Sequence, residues 1–96
     1  TTDNRLLAAG LRGHLFVYQA QDGWQELPTN IKSSLNSIVP LADGHTLVVG
    51  NNGYLIWLND ELHVQQTEEE KAVLNALPVG DKVIAVTETG IRFLQK

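Results

Sequence analysis

The chain contains no cysteine. Disulfides and thiolate chemistry are therefore excluded, and the redox compartment is left open. Basic residues are few: seven Lys and Arg stand against eleven Asp and Glu, for a formal net charge of −4. They form no stripe, so a nucleic-acid partner is not expected. No apolar run approaches the roughly 20 residues of a membrane-spanning helix. The chain shows no signal peptide and no initiator Met, and the abrupt start at Thr1 just before a strand reads as a mature or trimmed terminus. Helical periodicity is missing as well. Glu68 to Leu77 has a helix-compatible composition, but its apolar positions keep a 3.6 spacing for only about a turn. What remains, at 96 residues and 43% hydrophobic content, is at most one small globular domain.

What the sequence does contain is a repeat. His45 to Leu58 reads HTLVVGNNGYLIWL, with two apolar runs around a turn that begins and ends in glycine. RLLAAGLRGHLFVY at Arg5 to Tyr18 and KVIAVTETGIRFLQ at Lys82 to Gln95 are further copies. Gly13, Gly53 and Gly90 mark the same place in each, 40 and 37 residues apart. Short strands repeating at that length are the signature of a propeller blade. Glycine closes all three turns but opens only two, Thr87 standing at the third. A three-residue loop with a type I turn and then a left-handed residue is expected for Leu11-Arg12-Gly13, Asn51-Asn52-Gly53 and Glu88-Thr89-Gly90.

In chain order, strands are expected at Arg5 to Ala9, His14 to Gln19 and Trp24 to Leu27, with Pro28 ending the third. The second unit opens at Leu35 and turns at Asp43-Gly44, at the glycine hairpin and at Asn59-Asp60. It ends with Leu62 to Gln66. Leu74-Asn75-Ala76-Leu77 matches Leu35 to Ile38 and opens the third unit, with Gly80-Asp81 as its first turn. The strand count is three, four and three. The expected architecture is all-β, with antiparallel four-stranded repeats of a β-propeller amounting to about two and a half blades. Residues 1–30 form an incomplete blade, 31–70 a full blade and 71–96 another incomplete one. Leu6 to Ala9, Leu47 to Val49 and Val83 to Val86 are apolar on both faces, which requires cover on both sides.

These residues resemble a known family. GLRGHLF at Gly10 to Phe16, Asp22-Gly23-Trp24, SLNSIVPLADGHTLVVGNNGYL at Ser34 to Leu55 and ETGIRFL at Glu88 to Leu94 look like the photosystem II stability/assembly factor-like β-propellers. These are relatives of the sialidase-type Asp-box (BNR) repeats. The Asp-box spacing itself is not met: Gln21-Asp22-Gly23-Trp24 keeps its Asp, Gly and Trp only. The resemblance implies a non-enzymatic scaffold without cofactors that binds protein, in some relatives a membrane protein complex. It also implies export, for instance to a periplasm. Such propellers have more blades than this chain, so self-association or missing blades are needed to close the fold. The alternative is a carbohydrate-binding or sialidase-like propeller relative.

In a meander, alternate turns lie at one end. That places Arg12, Asn51, Asn52, Glu88 and Thr89 on one face as the candidate partner-binding residues, with Asn30, Lys32 and Glu68 to Lys71 beside them. His14, His45 and His63 sit on different strands at no metal-ligand spacing, so neither a metal nor a catalytic site is expected. Arg5, Arg12 and Arg92 do not occupy equivalent repeat positions, which argues against a carboxylate-gripping cluster. Arg92 aligns with Leu15 and Leu55 and reads as stem packing over a blade edge. Trp57, Phe16 and Phe93 read as core. No nucleophile elbow surrounds Ser33, Ser34 or Ser37.

Overall fold

The computed structural model describes residues 6–41, 44–59, 61–67, 70–80 and 82–94. The expected turns at Asp43, Asp60 and Asp81, the strand start at Arg5, and Glu68 and Glu69 in the connector lie outside these residues. The first sheet is a meander of β1 (Leu6–Ala9), β2 (Leu15–Gln19) and β3 (Gly23–Leu27). The second contains β4 (Leu35–Pro40), β5 (Thr46–Gly50), β6 (Tyr54–Leu58) and β7 (Leu62–Gln66). The third contains β8 (Val73–Val79), β9 (Lys82–Thr87) and β10 (Gly90–Leu94). Among the described residues all pairings are antiparallel and no sheet closes on itself. The all-β class and the three-four-three strand count are as the repeat predicts.

The sheets stack broadside. Side chains alternate along a strand and match across a pair, so each sheet has two distinct faces. One face of the second sheet presents Val48 and Ile56, which pack with Leu15, Ile31 and Leu35 against the first sheet. Its other face presents Val39, Leu47, Val49, Leu55 and Trp57 to Val73, Ala76, Val83 and Ala85 of the third. The two cores account for the sequence of β5, where every residue from Thr46 to Gly50 is buried. Neighbouring sheets approach most closely through β4 and β8, with β1 also against β4.

Both-face cover, expected for all three second strands, holds only for β5. In β9, Val83 and Ala85 are buried while Val86 is exposed, and in β1, Ala8 is exposed. The reason is position in the stack: the outer sheets have a neighbour on one side only.

Three local expectations are corrected by the register. The first concerns the opening of the third unit. Leu35 pairs with Gly50 and Val73 pairs with Thr87, each followed by a bulge. A bulge adds one unpaired residue to its strand. Val73, rather than Leu74, is therefore the counterpart of Leu35, and the exposed Leu74 occupies the bulge.

The second correction concerns the third hairpin, which is one residue shorter than the second. Val49 pairs with Leu55, whereas Val86 pairs with Ile91. Ile91 thus takes the place of Leu55, Arg92 that of Ile56, and Phe93 that of Trp57. Arg92 is not equivalent to Leu15 and Leu55. Phe93 is not core, being 70% exposed, and Phe16 is only half-buried.

The third correction concerns turn type. Arg12 has φ 57 and Gly13 φ 75; Asn52 has φ 59 and Gly53 φ 79. Two successive left-handed residues, closed by His14 N–H to Leu11 O and Tyr54 N–H to Asn51 O, make a type I′ turn. Its twist matches that of the flanking strands. At the third hairpin only Gly90 has positive φ.

The closing glycine answers a second demand besides its φ. A Cβ on Gly53 would lie 2.3 Å from Thr67 Oγ1 and 3.0 Å from Glu70 Cα. Gly44 shares the left-handed conformation at φ 87 but has open space around it. Gly53→Ala is expected to cost more than about 1 kcal/mol in urea unfolding, and more than Gly44→Ala. Equal losses would show that Thr67 yields freely and that conformation alone selects glycine.

Candidate functional site

The glycine turns and the inter-sheet connectors meet at one end of the molecule, and backbone bonds fix them there. Leu35 N–H donates to Gly10 O at 2.9 Å, and Asn51 N–H donates to Ser34 O at 2.8 Å. The connector before β4 is thereby tied to the turn of its own sheet and to that of the first. Glu88 N–H repeats the second bond, donating to Ala72 O at 3.1 Å. Thr67 N–H donates to Gly53 O at 2.9 Å and brings the end of β7 to the same turn.

Polar side chains extend this scaffold. Asn36, the bulge residue of β4, donates through Nδ2 to Asn51 Oδ1 and to Val73 O, both at 2.9 Å. It thereby bridges the first strands of two sheets. Ser37 Oγ donates to Asn75 Oδ1 at 2.9 Å across the same gap. Asn52 Nδ2 donates to Ser33 Oγ at 2.6 Å, and Gln66 Nε2 donates to Asn52 O at 2.9 Å. Ala72 N–H donates to Glu88 Oε1 at 3.0 Å.

Lys32, Ser33, Asn51, Asn52 and Glu88 line one polar depression there. It contains one cation, one anion and two amides. Asn51 Nδ2 and Asn52 Oδ1 have no partner among the described residues, leaving one donor and one acceptor for a ligand. Of the five residues singled out in the sequence, the fold brings Asn51, Asn52 and Glu88 together. Thr89 lines a separate depression with Lys71, Thr87 and Arg92. Arg12 lies in the turn of the first sheet and lines neither.

Arg12 has another property of interest. A non-glycine residue at φ 57 carries a backbone cost that Asn bears more easily, as Asn52 does in the equivalent turn. Arg12 is exposed, and Glu70 shares its left-handed conformation at φ 53. Asn36, Ser33, Ser37 and Asn75 were not identified as site residues from sequence. The available signal was the polar pair Asn36-Ser37 inside an otherwise apolar strand.

The remaining candidates are accounted for by local contacts. His14 Nδ1 lies 2.6 Å from Glu26 Oε2, and His63 Nε2 lies 3.3 Å from Glu61 Oε2. His45 bonds Asn59 at 2.8 Å. Among the described residues no group of three or more His, Asp or Glu is placed to hold a metal ion. Trp57 is buried, donates through Nε1 to Gln65 Oε1 at 2.8 Å, and lines a further depression with His45, Asn59, His63 and Gln65. No helix among the described residues is long and apolar enough to cross a membrane. No protein-family model, curated protein or solved structure matches this chain.

Two substitutions test the construction of the site. Asn36→Asp replaces a double donor with an acceptor facing Val73 O and Asn51 Oδ1, and is expected to cost about 1 kcal/mol or more in urea unfolding. A neutral result would mean that the bridge contributes nothing. Arg12→Asn is expected to raise stability by up to about 1 kcal/mol, because Asn tolerates the left-handed region. A loss of stability would show that the guanidinium supports the fold rather than a ligand.

Proposed function

We propose that the chain is a propeller-type repeat module acting as a non-enzymatic protein-interaction scaffold, in the manner of the photosystem II assembly factor-like propellers that it resembles. Support for the propeller reading comes from the stacking of the sheets. Each is a meander, neighbouring sheets lie broadside, and the most extensive contact between sheets is between β4 and β8, as expected of successive blades. Support for the scaffold reading comes from the polar depression at the turn end. Its amides match the donor and acceptor of a peptide backbone, and Lys32 and Glu88 add one charge of each sign. Rigid sheets presenting loops in this way suit recognition of protein surfaces. The family resemblance further implies an exported module that binds protein, in some relatives a membrane protein complex.

The test is affinity capture with the full chain as bait, followed by titration of the purified partner. Asn51→Ala combined with Glu88→Lys is expected to weaken that partner at least tenfold, which corresponds to about 1.4 kcal/mol. A variant of unaltered fold that binds as tightly as wild type would place the docking surface elsewhere. Binding of a glycan, with no protein captured, would favour a carbohydrate-binding relative instead.

A further inference from the structure

The two ends of the stack are complementary. The register defines, in each sheet, a forward face that points along the stack. In the first sheet it carries Leu7, Ala9, Leu15 and Val17, and in the second Leu47, Val49, Leu55 and Trp57. In the third it carries Ile84, Val86, Ile91 and Phe93. Every one of these positions is apolar. The first two faces are covered by the next sheet, while the third is bare: Ile91 and Phe93 are each 70% exposed, and Leu77 and Val79 beside them are also exposed. The third sheet therefore has the composition of a covered face without its cover.

The opposite end is the backward face of the first sheet. Its central counterparts, Val48 and Ile56 in the second sheet and Val83 and Ala85 in the third, are buried against the preceding sheet. In the first sheet this face presents Phe16, Tyr18 and Trp24, with Tyr18 and Trp24 rings 5.2 Å apart and Trp24 54% exposed. The charges on the two ends also suit each other. Lys82 lies on the forward face of the third sheet, its Nζ 5.9 Å from the Phe93 ring centroid, and Glu26 lies on the backward face of the first.

We propose that the bare forward face of the third sheet receives the aromatic backward face of the first sheet of a second copy of this chain. The contact would continue the stacking already present twice within one chain. It joins two different surfaces, so it is head-to-tail and leaves one free face of each kind on every pair.

Sedimentation of the 96-residue chain over a wide concentration range tests this directly. Wild type is expected to gain mass with concentration beyond two chains, or to close into a ring. Trp24→Glu and Phe93→Glu each destroy one face at an exposed position, and each alone is expected to remain monomeric. Mixed together they are expected to form a complex that stops at two chains, because each supplies the intact face that the other lacks. Wild type that remains monomeric throughout would overturn the proposal and assign the face to a further stretch of chain or to a different protein. A two-chain species formed by Trp24→Glu alone would also overturn it, since the third sheet would then be pairing with itself. Acrylamide quenching of wild type gives an independent readout that requires no variant. Trp24 quenching should fall as mass rises, and quenching that stays constant while mass rises would refute the aromatic face as the receptor.

Discussion

The molecule depends on one constraint: a small antiparallel sheet that is apolar on both sides must be covered on both sides. The second sheet meets this condition. Val48 and Ile56 enter one core, and Leu47, Val49, Leu55 and Trp57 enter the other. A sheet of four short strands could not bury this much apolar surface by itself. Its neighbours supply the cover, and in doing so each is left with one face of its own in solvent. Cohesion and incompleteness thus have the same origin.

The stacking also determines what the turns can do. Because the sheets lie broadside with their first strands closest, the β5–β6 turn, the β9–β10 turn and the connector before β4 are brought to one end. The bonds from Asn51 to Ser34 and from Glu88 to Ala72 are the same contact in successive repeats. Asn36 adds a contact with no counterpart in the third sheet, where the bulge residue is Leu74. A repeat that is regular in its backbone can in this way carry a local polar surface at one junction only.

The sequence was misleading where backbone register outweighs residue type. Gly90 occupies the place of Gly13 and Gly53 by identity, but the third hairpin is shorter, so Arg92 and Phe93 fall one position away from the equivalences that the glycines suggest. A shift of one residue exchanges the faces, which puts Phe93 on the side of the third sheet that no neighbouring sheet covers. The Leu-Asn pairs at Leu35 and Leu74 misled in the same manner, because a bulge breaks the count before Ser37 and before Asn75. The turn type, by contrast, was within reach: Asn52-Gly53 is a strong signal for a type I′ hairpin.

The all-β class, the spacing of the repeat, the number of strands in each unit and the need for glycine at the end of each turn were all written in the order of the residues. They depend on local chemistry: period-two apolar patterning, the turn residues, and the conformations open to a residue without a Cβ. Three-dimensional packing decided which apolar faces are covered, which of the expected site residues share a depression, and that Asn36 spans two sheets. Those outcomes require distances between segments 37 or 38 residues apart, as in Asn36 to Val73 and Ser37 to Asn75. Contacts of that range are set by how sheets lie on one another, and no local pattern encodes them.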